Sequence, residues 1–220
     1  MKHRYFFKAM LFCFVMIFAI SSVNAQRNHY SAYIGAAIPV GKFASDKDII
    51  YEMNANGEDI GMNFYNAASA GVSFTGRYYY LWDGIFTEKD ALGVFSELSL
   101  IWNSVRKEVK NYYSGDNSRI PSYLSYNLAI GPTYHYYIGK DEKLSVFGEL
   151  GVVIGNYSLT KTPDGGRLGI GAVFGAGITY NQWLSVGAYY QFYNDITMSK
   201  KRDGHETIPN VLQLKVGFHF

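Results

Sequence analysis

The chain has 220 residues, of which 48% are hydrophobic and 17% aromatic; its mean hydropathy is −0.07 and its formal charge +2. That is enough chain for one domain or a single barrel. It is too polar for a bundle of membrane helices, each needing about 20 apolar residues in succession, and too aromatic for disorder. The small positive charge gives no case for a nucleic-acid partner, because removing Lys2, Arg4 and Lys8 with the N-terminal segment leaves 17 basic against 18 acidic residues and a charge of −1.

Those three basic residues precede an apolar run from Leu11 to Ile20, and Ser21-Ser22-Val23-Asn24-Ala25 follows it. Val23 and Ala25 stand at the −3 and −1 positions for cleavage before Gln26. The three regions predict a secretory signal peptide over residues 1–25, leaving 26–220 as the mature domain. Cys13, the one cysteine, lies in the apolar run after Met10-Leu11-Phe12, which lacks the small residue of a lipoprotein box. The mature chain is therefore expected to use neither disulfides nor thiol chemistry.

The first strand is expected over Tyr30–Ile38, ended by Pro39, which cannot donate to a sheet ladder. Gly41 to about Asn63 reads as a long polar loop with a short helix or hairpin around Asp48–Met53. A second strand, Ala67–Trp82, places Val72, Phe74, Tyr78, Tyr80 and Trp82 opposite Ser73, Thr75, Arg77 and Tyr79. A third, Leu92–Asn103, sets Leu92, Val94, Leu98, Leu100 and Trp102 against Gly93, Glu97, Ser99 and Asn103, with Phe95 and Ile101 as exceptions. Arg106–Arg119 is a loop by composition.

A fourth strand spans Ser122–Ile138 and a fifth Leu144–Tyr157, joined by the polar turn Gly139–Lys143. Thr162-Pro163-Asp164-Gly165-Gly166 signals another turn. The sixth strand, Leu168–Tyr180, alternates apolar residues with Gly169, Gly171, Gly175 and Gly177. Asn181-Gln182 turns the chain into a seventh strand, Leu184–Tyr193. After a loop over Met198–Thr207, Val211–Phe220 forms the eighth, with Leu212, Leu214, Val216, Phe218 and Phe220 alternating against Gln213, Lys215, Gly217 and His219. A strand sorts this period-2 pattern onto two faces and a helix cannot.

Eight strands, joined by connections that tend to alternate long and short, predict an all-β, eight-stranded antiparallel up-and-down transmembrane β-barrel, with the polar and small face toward the lumen and the apolar face toward lipid. Residues 83–90 are long for a turn and 162–167 short for a loop. With both termini on the periplasmic side, the lower strand ends carry Tyr78, Tyr80, Trp82, Tyr134, Tyr136, Tyr180, Trp183, Phe218 and Phe220; the upper ends carry Trp102, Tyr126, Tyr190 and Phe192. These would form two aromatic girdles at the headgroup boundaries. A soluble lipocalin-type barrel would reverse the two faces, and the glycine face of strand six argues against it, because a ligand cavity wants bulk on its inner wall.

Eight strands leave an interior that side chains can fill, so a diffusion pore is not expected. Four inward charges, Arg77, Glu97, Glu149 and Lys215, each lie five residues from the periplasmic end of their strand. One level would then hold two cations and two anions, either as an ion-pair plug or as four separately solvated groups.

Gly35-Ala36-Ala37-Ile38-Pro39-Val40-Gly41-Lys42-Phe43, Ile120-Pro121-Ser122-Tyr123-Leu124-Ser125-Tyr126 and the aromatic terminal strand resemble the small outer-membrane β-barrel domain proteins of Gram-negative bacteria, of the OmpA-transmembrane and PorT-like kind. The resemblance spans the mature chain and rests on pattern, not on chemical signatures. It implies a place in the outer membrane, contact with lipid and lipopolysaccharide, and recognition of the last strand, Phe220 above all, by the barrel-assembly machinery. It also implies a charged interior network like that of OmpA-type barrels. The chain ends at the barrel, so the peptidoglycan-binding domain of full-length OmpA-type proteins is not expected.

Catalytic signals are weak. His29, His135, His205 and His219 are scattered, no pair has helical zinc-ligand spacing, and Gly169-Ile170-Gly171 with Gly175 lies in a strand, so no metal or cofactor is expected. A lipid-modifying enzyme would need a Ser, a His and an acid at the outer rim, where Ser114, Ser118, His205 and Glu206 are candidates without a motif. Tyr112, Tyr113, Lys200, Lys201 and Arg202 suit contact with lipopolysaccharide phosphates or a protein partner, though a solvated loop explains them as well. The expectation is a non-enzymatic barrel with a structural or loop-mediated binding role; a part in an outer-membrane secretion apparatus is the alternative.

Overall fold

The computed structural model describes residues 26–45, 49–53, 55–57, 59–64, 66–113, 120–139, 141–160, 167–193 and 209–220. The signal-peptide reading over 1–25 and the candidates Ser114, Ser118, Lys200, Lys201, Arg202, His205 and Glu206 lie outside them. The strands are β1 (Gln26–Pro39), β2 (Ile49–Met53), β3 (Asp59–Phe64), β4 (Ala68–Asp83), β5 (Asp90–Val105), β6 (Tyr123–Ile138), β7 (Leu144–Leu159), β8 (Arg167–Tyr180), β9 (Leu184–Tyr193) and β10 (Val211–His219). Eight of them close into an antiparallel barrel in which β1 pairs with both β4 and β10; β2 and β3 form a separate hairpin in the first long connection.

Closure follows from register. Arg77 faces Glu97 across β4 and β5, Ser31 faces Arg77 on one side of β1 and His219 on the other, and Phe220 exchanges two backbone bonds of 2.9 Å with Tyr30. No edge is left among the barrel strands, the condition for a sheet whose outer face meets no water. β1 begins four residues before its expected start at Tyr30, because Gln26–His29 continue the ladder on β4, opposite Trp82–Tyr79, below the point where β10 runs out.

The wall has membrane polarity. Leu98 and Leu128 are each 62% exposed on the outer face, whereas Arg77, Gln191 and Lys215 are buried inside. Alternation therefore divides every barrel strand into an apolar outer and a polar or aromatic inner row.

One end of the barrel carries short connections. Trp183 N–H bonds back to Tyr180 O at 3.3 Å around Asn181 and Gln182, both with positive φ, the geometry that matches hairpin twist. Residues 84–89, long on paper, are drawn into a compact turn: Asp90 accepts from the backbone N–H of Ile85, Phe86 and Thr87 at 3.0, 3.2 and 3.0 Å, and Gly84 supplies a positive φ. The opposite end carries the long connections. There the 106–119 stretch, read as loop, contains a helix, α1 (Lys107–Tyr112), that buries Val109. Glu108 in its first turn and Lys110 in its last suit the helix dipole.

Candidate functional site

At mid-height the lumen is filled by charge. Arg77 Nη1 donates to Glu149 Oε2 at 2.5 Å and to the Tyr79 hydroxyl at 2.8 Å, while Nη2 donates to Glu97. Tyr79 in turn donates to Glu149 Oε1 at 2.7 Å, and Lys215 Nζ reaches Glu97 Oε1 at 3.4 Å. The four charged side chains are at most 2% exposed and sum to zero. Pairing and shared hydrogen bonds are what make burial of four charges tolerable.

Aromatic rings pack this layer. The Arg77 guanidinium carbon lies 4.8 Å from the centre of the Tyr189 ring and 4.9 Å from that of Phe95, and Lys215 Nζ lies 4.7 Å from Tyr189. Tyr33 completes the layer through a 3.0 Å bond to Tyr79. Strand parity and distance from the strand ends place the four charges on one level but do not single out Tyr33, Tyr79, Tyr189 and Phe95 as their partners. Their signal was parity: each sits on the inward row of its strand.

Above the charges lies an amide layer. Gln213 donates to Gln191 at 3.2 Å, Gln191 to the Tyr193 hydroxyl at 2.6 Å, and Tyr193 to Asn127. Above that again, Phe43 from a short 3-10 turn (Gly41–Phe43) and Val109 from α1 pack with Ile101, Val105, Tyr123 and Tyr157 into an apolar cap. Arg106 ties α1 to the 3-10 turn through Ala44 O at 2.7 Å. Among the described residues, side chains thus meet inside the barrel at three successive levels.

The lower end is a polar cleft of about 380 Å3 lined by His29, His135 and His219 among others. Scattered in sequence, these histidines meet because all three face inward near the same barrel end. The imidazoles of His29 and His219 lie 4.8 Å apart, and Tyr79 stacks on His29 at 4.7 Å. Among the described residues, no group of three or more His, Cys, Asp or Glu is arranged to hold a metal ion.

The outer aromatic residues fall at the two ends. Tyr78 and Tyr80 are half-buried; Tyr134, Tyr136, Tyr180, Trp183 and Phe218 are exposed at the lower end, and Trp102 is exposed at the upper end. Trp183 stacks on Phe218 at 5.9 Å. Trp82 departs from the exposed position expected of a girdle residue: it is only 9% exposed, with its ring edge-on to Tyr80 at 4.8 Å. The Phe220 side chain projects outward, 76% exposed.

No protein-family model matches the chain, and none of the curated proteins does. Solved structures do. Neisserial surface protein A is 10% identical over 89% of this chain and 98% of its own, with a TM-score of 0.51. The attachment invasion locus protein Ail of Yersinia pestis is 13% identical over 90% of this chain and 100% of its own, at 0.41. The outer membrane enzyme PagL is 13% identical over 88% and 99%, at 0.45. The likeness to the first is one of fold: this chain has the fold of the small eight-stranded barrel that Neisserial surface protein A represents.

Proposed function

We propose that this chain, after loss of residues 1–25, is an integral outer-membrane β-barrel without an open pore and without enzymatic activity, whose outer end serves a structural or binding role. The observation that carries the reading is the reversed polarity of the closed wall. Residues such as Leu98, Leu128 and Val152 stand exposed outside while Arg77, Glu97 and Lys215 are buried inside. Such a wall is stable only where the surrounding solvent is lipid. Lipid and lipopolysaccharide are then its neighbours, the exposed Trp102, Tyr134, Tyr136, Tyr180, Trp183 and Phe218 its interfacial anchors, and Phe220 its mark for the assembly machinery.

The outer end supports binding more than passive exposure. α1 is not a free loop; Val109 anchors it in the apolar cap, so Lys107, Lys110 and Tyr112 are displayed on a fixed platform. A component of a secretion apparatus of PorT-like kind would use such a platform for a protein partner, and a stand-alone barrel would use it for lipopolysaccharide phosphates.

The test is fractionation with a heat-modifiable gel shift, followed by conductance in a planar bilayer. The expected result is a folded outer-membrane species with no conductance. A soluble periplasmic protein or a steady open channel would overturn the reading. Pull-down through the intact outer end separates the two roles.

A further inference from the structure

We infer that the lower mouth of the barrel holds a two-histidine site for a divalent transition metal, with His29 Nε2 and His219 Nε2 as its protein ligands. Three observations converge on it. First, both nitrogens are buried and neither has a hydrogen-bond partner. A buried polar atom left unpartnered costs free energy and calls for a ligand. Second, the separation fits. Two imidazoles sharing one metal at ~2.0–2.1 Å per nitrogen put their ring centres about 5 Å apart, and these rings lie 4.8 Å apart at an interplanar angle of 69°. Third, the supporting contact is built. Ser31 Oγ lies 2.7 Å from His219 Nδ1, so the Nδ1–H of the ligating tautomer donates to Ser31 and leaves Nε2 as the free nitrogen of a ring that lines the cleft. A ligating histidine ordinarily has its other nitrogen held in this way.

His135 stands apart from the pair. It lines the same cleft, but its Nε2 is engaged with Thr133 Oγ1 at 3.1 Å, and the Tyr79 ring contacts it at 5.6 Å. The protein thus supplies two nitrogens, and a bound metal would take its remaining ligands from outside the protein. Neutral imidazole donors in an open site favour Cu2+, then Ni2+ and Zn2+. The neighbouring layer permits a cation, because Arg77 and Lys215 above it are already balanced by Glu97 and Glu149. Binding must weaken as pH falls, since protons compete for the same nitrogens.

The experiment is titration of the untagged protein in detergent micelles with Cu2+, read by electron paramagnetic resonance, with Zn2+ as competitor. One Cu2+ per chain is expected, with hyperfine coupling from two nitrogens. His29→Gln and His219→Gln should each abolish that signal, and His135→Gln should keep it. Ser31→Ala should weaken affinity about 10–100-fold, which keeps the test decisive if a histidine variant fails to fold. The absence of a bound Cu2+ signal would overturn the site, as would an unchanged signal in folded His29→Gln and His219→Gln proteins.

Discussion

Arg77 on β4 reaches over two intervening strands to Glu149 on β7, Nη1 to Oε2 at 2.5 Å, while its other nitrogen engages Glu97 on the adjacent strand. One guanidinium thus ties β4 to both β5 and β7 through the lumen. Small neighbours make the reach possible. Lys215 is flanked by Gly35 on β1 and Gly187 on β9, and Glu149 by Thr133 and Gly175. A Cβ on Gly35 would meet Lys215 Cγ at 2.9 Å, and one on Gly175 would meet Glu149 Oε2 at 3.1 Å.

Replacing Arg77 alone leaves the layer one positive charge short and a buried carboxylate unpaired. Arg77→Met is expected to lower unfolding free energy by about 3–5 kcal/mol. Arg77→Lys should rescue little, because a point charge cannot reach Glu97, Glu149 and Tyr79 together. The double change Arg77→Met with Glu149→Gln restores neutrality and keeps the Lys215–Glu97 pair, so it should be more stable than the single variant. Urea unfolding in lipid vesicles measures all three; a double variant weaker than the single one would contradict the charge argument.

Glycine on the inward rows sets a second prediction. A Cβ at Gly187 would lie 2.9 Å from the Tyr189 ring, 3.1 Å from Phe147 Cζ and 3.1 Å from the Ala176 carbonyl, whereas one at the outward Gly148 would meet nothing within 4 Å. Gly187→Ala should therefore cost about 1–3 kcal/mol through overpacking, and Gly148→Ala should not destabilise. Equal effects in the same urea titration would show that backbone freedom, not interior space, governs these positions.

Period-2 alternation made the eight strands and the level of the four charges readable, because parity and distance from a strand end are properties of local sequence. The interior partners were less readable. Tyr33, Tyr79 and Tyr189 matter through contacts between strands, and whether a ring fits depends on a glycine on a neighbouring strand. Helix α1 was hidden for a related reason: six residues in a charged stretch carry a weak helical signal, and burial of Val109 against Phe43 and its neighbours adds stability that propensity alone lacks. The meeting of His29 and His219 depended on a closure register that places His219 opposite Ser31.

The outer cap should loosen without opening the barrel. Phe43 is 1% exposed, with its ring edge-on to Tyr123 at 5.2 Å and to Tyr157 at 5.9 Å. Phe43→Ala is expected to cost on the order of 3 kcal/mol locally, seen as faster hydrogen exchange in α1 and faster proteolysis of the outer end. The charge and amide layers lie below and do not use Phe43, so conductance should stay absent. A channel opening in this variant would mean that the cap, not the charge layer, closes the lumen.

At the opposite end, stability should depend on pH through Asp90. Burial pushes its carboxyl up, but the backbone N–H of Phe86, the Tyr134 hydroxyl and Thr87 outweigh that and hold it below its ordinary value of 3.8. A carboxyl depressed in the folded state stabilises the fold above its ordinary range and loses that contribution as pH falls through the folded value. The wild-type melting temperature should therefore drop on acidification below pH ~4. Asp90→Asn should already be lower at pH 7, having lost the ionised acceptor for Ile85, Phe86 and Thr87. The gap between the two proteins should narrow as pH falls through the folded value, where the wild-type side chain protonates. Parallel melting curves for the two proteins across that range, measured by circular dichroism in micelles, would show that the turn is held by its backbone and Gly84 rather than by the charge on Asp90.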